Sequence, residues 1–264
     1  MSQPFKIIPP IRLRDFDPAF DGGLDKDKTR RKTLKLCEQT GELQNLLYAN
    51  RTHALLLIFQ GMDTSGKDCA GARALQFVPP AGVETANFKA PSPAELSHDF
   101  LWRIHKAAPR YGNIGVFNRS HYEDVLAVRA LKLQPREIWL RRYEQINAFE
   151  KILAANNTVI LKFFLHISKG EQARRLQARL NDPTNTWKLE MNDFKLRRYW
   201  GDYQRAIEDC LNRCSTPYAP WHIVPADHRW YRDFVIAQSV VKALEKLKLM
   251  WPKTRMDVSR ICIK

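Results

Sequence analysis

Gly61, Met62, Asp63, Thr64, Ser65, Gly66 and Lys67 spell G-x-x-x-x-G-K, a spacing whose chemistry is the binding of phosphate. Glycine at both ends lets the backbone curl until successive N–H groups point inward at phosphate oxygens. A helix opening at the end of the loop adds the positive end of its dipole, and Lys67 neutralises the phosphate that moves. Gly61, Thr64, Ser65, Gly66, Lys67 and Asp68 are therefore the expected phosphate-binding set. Two positions are unusual. Asp68 stands where a Ser or Thr hydroxyl ordinarily binds Mg²⁺. Asp63 places a carboxylate among phosphate-cradling amides, where it repels the ligand unless a divalent cation lies between them, so it is expected to be a Mg²⁺ ligand.

A second polar cluster runs from Phe117 to Asp124, in the order Phe-Asn-Arg-Ser-His-Tyr-Glu-Asp. Phosphoryl transfer depends on positioning and on electrostatic stabilisation of charge in the transition state. Arg119 is placed to stabilise the transferring group, while Glu123 and Asp124 are candidates to help hold the metal and orient an attacking phosphate oxygen. Asp63, Lys67, Arg119 and Asp124 form the expected catalytic set, with Mg²⁺ between Asp63 and Asp124. Lys89 and Arg73 are further candidates for contact with a chain of phosphates. The seven histidines offer no H-E-x-x-H pattern, and Ser120 beside His121 is sequence adjacency rather than a nucleophile and its base.

The elements that must position these groups show in the apolar pattern. Ala54–Gln60 is a continuous apolar run, as in a strand buried on both faces of a parallel sheet. Further short runs at Glu84–Phe88, Ile114–Asn118, Val159–His166 and Trp221–Pro225 alternate with helical stretches, which predicts a five-stranded, doubly wound α/β sheet. The polar cluster then falls at the carboxyl edge of the third strand, where open α/β sheets bind ligands. Thr29–Ala49 predicts a covering helix with Gly41 as a point of interruption. Ser92-Pro93-Ala94-Glu95 is a capping box that opens a helix to about Lys106. Lys169–Leu180 and Leu189–Leu211 predict a helical hairpin, large for a plain crossover, and Phe234–Trp251 a last helix. Pro4–Gly23 predicts an irregular surface extension.

Composition bounds the function. At 264 residues, 44% hydrophobic and 27% charged, the chain is long enough for one substantial core and too short for two full catalytic domains. The longest apolar runs fall far below the ~20 residues of a membrane helix, and the N-terminal segment lacks a signal-peptide core, so no membrane partner and a cytoplasmic location are expected. Five scattered cysteines make neither a disulfide framework nor a zinc site. The net charge of +15, from 43 basic and 28 acidic residues, predicts a polyanionic partner. That charge is spread along the chain and accompanies no nucleic-acid motif, so no specific nucleic acid is expected. A non-catalytic polyanion binder would explain the charge without Asp63 or Asp124.

Taken together, FQGMDTSGKD, NFKAPSPAEL and GVFNRSHYEDVL resemble the polyphosphate kinase 2 family, and the likeness extends over about residues 30 to 250. The resemblance implies a P-loop kinase-like, thymidylate-kinase-like core with a helical lid at about residues 168–212. On that division, residues 1–50 are an N-terminal extension and covering helix, and residues 51–264 the phosphotransferase domain. It further implies Mg²⁺-dependent exchange of phosphate between inorganic polyphosphate and nucleotides, by a homo-oligomer that is a dimer or tetramer. Asn118 and the Glu123–Asp124 pair are similar to the subgroup that phosphorylates both AMP to ADP and ADP to ATP. Lid cations over the phosphates are also implied. Arg174, Arg175 and Lys195 lead that set, with Arg179, Lys188, Arg197 and Arg198 also available. An ATP-dependent nucleoside or nucleotide kinase shares the loop, sheet and lid, and Asp68 and the high positive charge count against it.

Overall fold

The computed structural model describes residues 5–189, 194 and 196–253. Among these the chain runs β1 (Phe5–Lys6), α1 (Lys26–Asn50), β2 (Ala54–Gly61), α2 (Lys67–Ala74), β3 (Val83–Asn87), α3 (Pro93–Leu96), α4 (Trp102–Lys106) and β4 (Ile114–Asn118). It continues through α5 (Glu123–Ala130), α6 (Arg136–Ala155), β5 (Thr158–His166), α7 (Lys169–Leu180), α8 (Trp200–Cys214), β6 (Trp221–Pro225) and α9 (Arg229–Glu245). The strands form one sheet in the order β1-β6-β5-β2-β4-β3, parallel except for β1. The five expected parallel strands are all present.

Alternation along the central strands divides the core into two layers. Leu55, Leu57 and Phe59 of β2 join Phe163 and Leu165 on the face covered by α1, α2 and α9. Leu56 and Ile58 join Phe117, Ile160 and Phe164 on the face covered by α5, α6 and α8. The strand is apolar at every position because both layers are filled. β2 lies between β4 and β5, so the carboxyl ends of β2 and β4 open side by side, with Phe59 in register with Asn118. That arrangement sets the loop of residues 61–67 beside the cluster of residues 117–124.

Several elements differ from the pattern-based expectation. The segment opened by the capping box does not run unbroken to Lys106. Asp99 Oδ1 accepts from the Leu101 N–H at 2.9 Å and Ser97 Oγ donates to the Ala94 carbonyl at 2.7 Å, so side chains take backbone partners between α3 and α4. Gly41 does not interrupt α1. A Cβ there would sit 2.6 Å from the Phe77 carbonyl oxygen, so this glycine marks a close approach between segments. α9 begins at Arg229 and ends at Glu245, with Lys248 in the left-handed region beyond it. Of the expected helix over Leu189–Leu211, Phe194 and Leu196 are helical, Arg197–Tyr199 is a 3₁₀ turn and α8 follows from Trp200, with residues 190–193 and 195 outside the described residues.

The N-terminal segment is a strap rather than an irregular surface extension. β1 pairs with β6, and Ile7 and Leu13 are buried. Asn212 of α8 accepts from the Ile11 N–H at 2.8 Å and donates to its carbonyl at 3.0 Å, while Glu208 accepts from the Leu13 N–H at 2.7 Å. Among the described residues, no helix is long and apolar enough to cross a membrane.

Candidate active site

The loop between β2 and α2 curls as its sequence requires. Gly66 takes φ +93°, and a Cβ on it would lie 2.0 Å from Arg232 Nη1, so only glycine fits over that guanidinium. Thr64 takes φ +65°, an uncommon conformation for a residue with a branched side chain. The Thr64 and Ser65 hydroxyl oxygens are buried and find no hydrogen-bond partner among the described residues, which fits a loop built for a polar ligand. Lys67 folds back on its own loop, donating to the carbonyls of Gly61 at 2.8 Å and Met62 at 3.3 Å. Burial lowers its pKa, against the opposing pull of Asp63 and Glu123.

The second cluster turns on Arg119, which also has positive φ, at +60°. Its N–H continues the sheet by donating to the Phe59 carbonyl at 3.1 Å, and its side chain reaches Asp63 Oδ1 at 3.2 Å. Strained backbone on both sides of the β2–β4 edge is the kind of local cost that persists where a site demands it. Gln60 links the two segments. In the amide orientation that satisfies every partner, its oxygen accepts from Ser120 Oγ at 3.2 Å and N–H at 3.1 Å, and its nitrogen donates to Glu123 Oε1 at 3.0 Å. Burial pushes the Glu123 carboxyl up, against the charges of Arg119 and Lys67. Burial counts first against the Arg119 cation, yet Glu123 and Asp63 outweigh it and raise its pKa.

Asp124 takes a different direction from its neighbour. Arg142 of α6 donates to its carboxylate at 3.1 Å and to its carbonyl at 3.0 Å. Burial raises the Asp124 pKa against the pull of Arg142 and Arg103. Asp63 and Asp124 both line the same cavity, Asp63 paired with Arg119 and Asp124 with Arg142. Glu123 shares the field of Lys67, Arg119 and Asp63, because it and Asp124 leave the helix start at different angles. No group of three His, Cys, Asp or Glu side chains gathers as a metal cluster among the described residues. Two carboxylates suffice for Mg²⁺ when substrate phosphates and water complete its octahedron, so Asp63 and Glu123 fit such an ion.

Between these groups lies a cavity of about 400 Å³. Its lining mixes charged and polar side chains, among them Asp63, Arg119, Glu123, Asp124 and Tyr203, with apolar ones such as Leu126 and Leu133. A pocket lined by both cationic and apolar side chains suits an amphipathic anionic ligand.

A profile of the polyphosphate kinase 2 family matches residues 23–250. The chain belongs to the polyphosphate kinase 2 family. It is 43% identical over 257 residues to the AMP/ADP-polyphosphate phosphotransferase of Meiothermus ruber, covering 96% of each chain. It is 43% identical to the ADP-polyphosphate phosphotransferase of Rhodopseudomonas palustris, over 82% of this chain and 79% of that one. The crystal structure of polyphosphate kinase 2 from Arthrobacter aurescens superposes with a TM-score of 0.95 at 39% identity, covering 98% of this chain and 94% of that one. The resemblance in the three sequence blocks and the P-loop kinase-like sheet are thereby borne out.

In this family member the remaining candidates divide. Asn118 is at the site's edge, donating to Asn87 Oδ1 at 2.8 Å, and Lys89 is exposed on the cavity lining. Asp68 is exposed on the first turn of α2. Arg73 is not brought to the cavity. It lies on the last turn of α2, bonded to Gln76 and acting on Cys37 and Asp233. Among the lid candidates, Arg174 is exposed and forks onto Glu171, while Lys195 lies outside the described residues. Arg175 is buried against the outer side of the loop, donating to its carbonyls, and so does not face the phosphates. Sequence reasoning missed Gln60, Arg103, Arg142, Tyr203 and Arg232. Gln60 could have been flagged as the polar end of an apolar strand. The others lie on helices at positions that no short motif marks.

Proposed function

We propose that this protein transfers phosphoryl groups between inorganic polyphosphate and the nucleotides AMP and ADP, forming ADP and ATP, with Mg²⁺ as its metal. The observation that carries the reading is the convergence of a phosphate loop bearing its own carboxylate, Asp63, with Arg119 and Glu123 on the wall of one cavity that also has apolar lining. The chain's likeness to the AMP/ADP-polyphosphate phosphotransferase of Meiothermus ruber and the ADP-polyphosphate phosphotransferase of Rhodopseudomonas palustris supports it.

In this reading the terminal phosphate of the donor lies on the loop N–H groups at the start of α2. Lys67 exchanges its two loop carbonyls for phosphate oxygens, which offer it charge as well as hydrogen bonds. Arg119 balances the charge that spreads over the transferring group. The acceptor nucleotide takes the cavity, its base toward Leu126 and Leu133 and its phosphate toward Arg119. Asp63 and Glu123 would hold Mg²⁺, which supplies charge neutralisation between the phosphates when bound. The basic segment from α7 to α8 acts as a lid that excludes water, so that nucleotide rather than water accepts the phosphate.

The test is nucleotide chromatography after mixing the protein with polyphosphate, Mg²⁺ and either AMP or ADP, beside a Lys67→Ala variant. ADP and ATP from the wild type and neither from the variant are the expected result. Phosphate transfer only when ATP replaces polyphosphate would overturn the assignment.

A further inference from the structure

A phosphate loop can present its N–H groups inward only if its carbonyls turn outward, and buried carbonyls must find donors. Here three consecutive carbonyls find them on side chains. Gln172 Nε2 donates to the Asp63 carbonyl at 3.1 Å. Arg175 Nη1 donates to those of Thr64 at 3.0 Å and Ser65 at 3.3 Å. Arg232 Nη1 reaches the Ser65 carbonyl at 3.1 Å from the other side. Arg175 and Arg232 are 3% and 2% exposed, so they are held in the protein rather than turned to solvent.

We propose that Arg175 and Arg232, assisted by Gln172, are positioning residues that hold the loop in its phosphate-accepting shape from behind. The proposal rests on the phosphotransferase reading of the loop and adds residues to it. Three observations support a positioning role over a ligand role. Both guanidiniums have carboxylate partners, Arg175 with Glu171 at 2.7 Å and Arg232 with Asp233 at 2.7 Å, so their charge is already matched. Arg175 also spans two segments: its second terminal nitrogen donates to the carbonyls of Ala226 at 2.6 Å and Asp227 at 3.0 Å, tying the loop to the end of β6. Gly66 lies so close over Arg232 that any side chain would displace the guanidinium. The fork geometry is what counts, because a lysine has one nitrogen and cannot bridge both pairs of carbonyls. The arrangement also reaches the lid, since Gln172 Oε1 accepts from Arg197 Nη1 at 2.6 Å while its nitrogen holds the Asp63 carbonyl.

The experiment uses the full chain and the variants Arg175→Lys, Arg175→Met and Arg232→Met. Calorimetry gives the affinity for inorganic tripolyphosphate and, separately, for AMP. Amide hydrogen exchange follows residues 61–67, and far-ultraviolet circular dichroism reports the fold. The expected result is tripolyphosphate binding weakened at least tenfold in both Arg175 variants, with AMP affinity within twofold of wild type and faster exchange confined to the loop. Wild-type tripolyphosphate affinity in Arg175→Lys would overturn the proposal, as would equal weakening for AMP. Loss of fold in both Arg175 variants would assign the guanidinium to stability alone and overturn it as well. If the wild type itself fails to bind tripolyphosphate, the functional reading fails, and loop exchange in the variants still decides the positioning claim.

Discussion

Lys162 lies at the centre of β5 with none of its side chain exposed, and replacing it with methionine is a severe test of how the corner after β4 is held. Its ammonium donates to Glu150 Oε2 at 2.5 Å, to Tyr122 Oη at 2.7 Å and to the Cys214 carbonyl at 2.7 Å, and it lies 5.2 Å from the ring centres of both Tyr122 and Trp221. Lys162→Met keeps the volume and removes all three bonds. Glu150, also fully buried, then keeps only His121 at 3.2 Å and Tyr122 at 2.7 Å. Breaking a buried pair from one side costs about 3–5 kcal/mol. That is a large part of the ~5–15 kcal/mol of a typical domain. At ~2–4 °C per kcal/mol the melting point falls by about 10 °C. The pH dependence fixes the cause. In the wild type, burial pushes the Glu150 carboxyl up, but Lys162 and His121 outweigh it and hold the group below its ordinary range. A carboxyl depressed in this way contributes stability above its unfolded pKa and loses it as pH falls through the folded value. Without Lys162 the burial effect dominates, the folded pKa rises above the unfolded one, and the folded protein takes up a proton. The deficit of the variant is therefore larger at pH 7.5 than at pH 5. Urea unfolding at both pH values, with Glu150→Leu and the double variant, completes the cycle, and the double variant should recover most of the loss. A deficit under ~1 kcal/mol, or one that does not shrink at pH 5, would refute the reasoning.

Two further outcomes follow from the site. In the metal-free protein burial raises Glu123, so Mg²⁺ must displace its proton, and kcat/KM at subsaturating Mg²⁺ should fall along an acid limb that moves to lower pH as Mg²⁺ is increased. Glu123→Gln should remove that limb and lower kcat/KM about 10²-fold or more, read from a pH–rate profile. Gly66→Ala should destabilise by about 1–3 kcal/mol from its backbone conformation alone, and more from the clash with Arg232, measured by thermal melting together with loss of turnover.

What could be seen in the sequence, and what could not, follows from how far apart the interacting residues lie in the chain. The phosphate loop was legible because its task is done by seven contiguous residues, and a backbone that must curl around an anion leaves glycine at fixed places. The strands were legible for a similar reason: burial on both faces of β2 and β5 leaves a run that no surface element shows. The choice between neighbours was not. Arg174 and Arg175 are adjacent, yet the ~100° between successive helix positions sends one to solvent and the other under the loop, and only the packing of α7 decides which. The same step separates Glu123, which shares the field of Asp63, from Asp124, which turns to Arg142. Lys162 is the extreme case. Within Val159–His166 it reads as an interruption, because the partners that make its burial affordable lie 12, 40 and 52 residues away on α6, the β4–α5 corner and α8. Those three partners are also what ties the helices of one layer to the strand beneath them. A charge that is prohibitive alone in a core becomes a registration point when all of its donors are met, and it fixes Tyr122 at the residue next to Glu123. The polar core thus belongs to the same design as the site: through Tyr122 it helps hold the corner that carries Arg119 and Glu123.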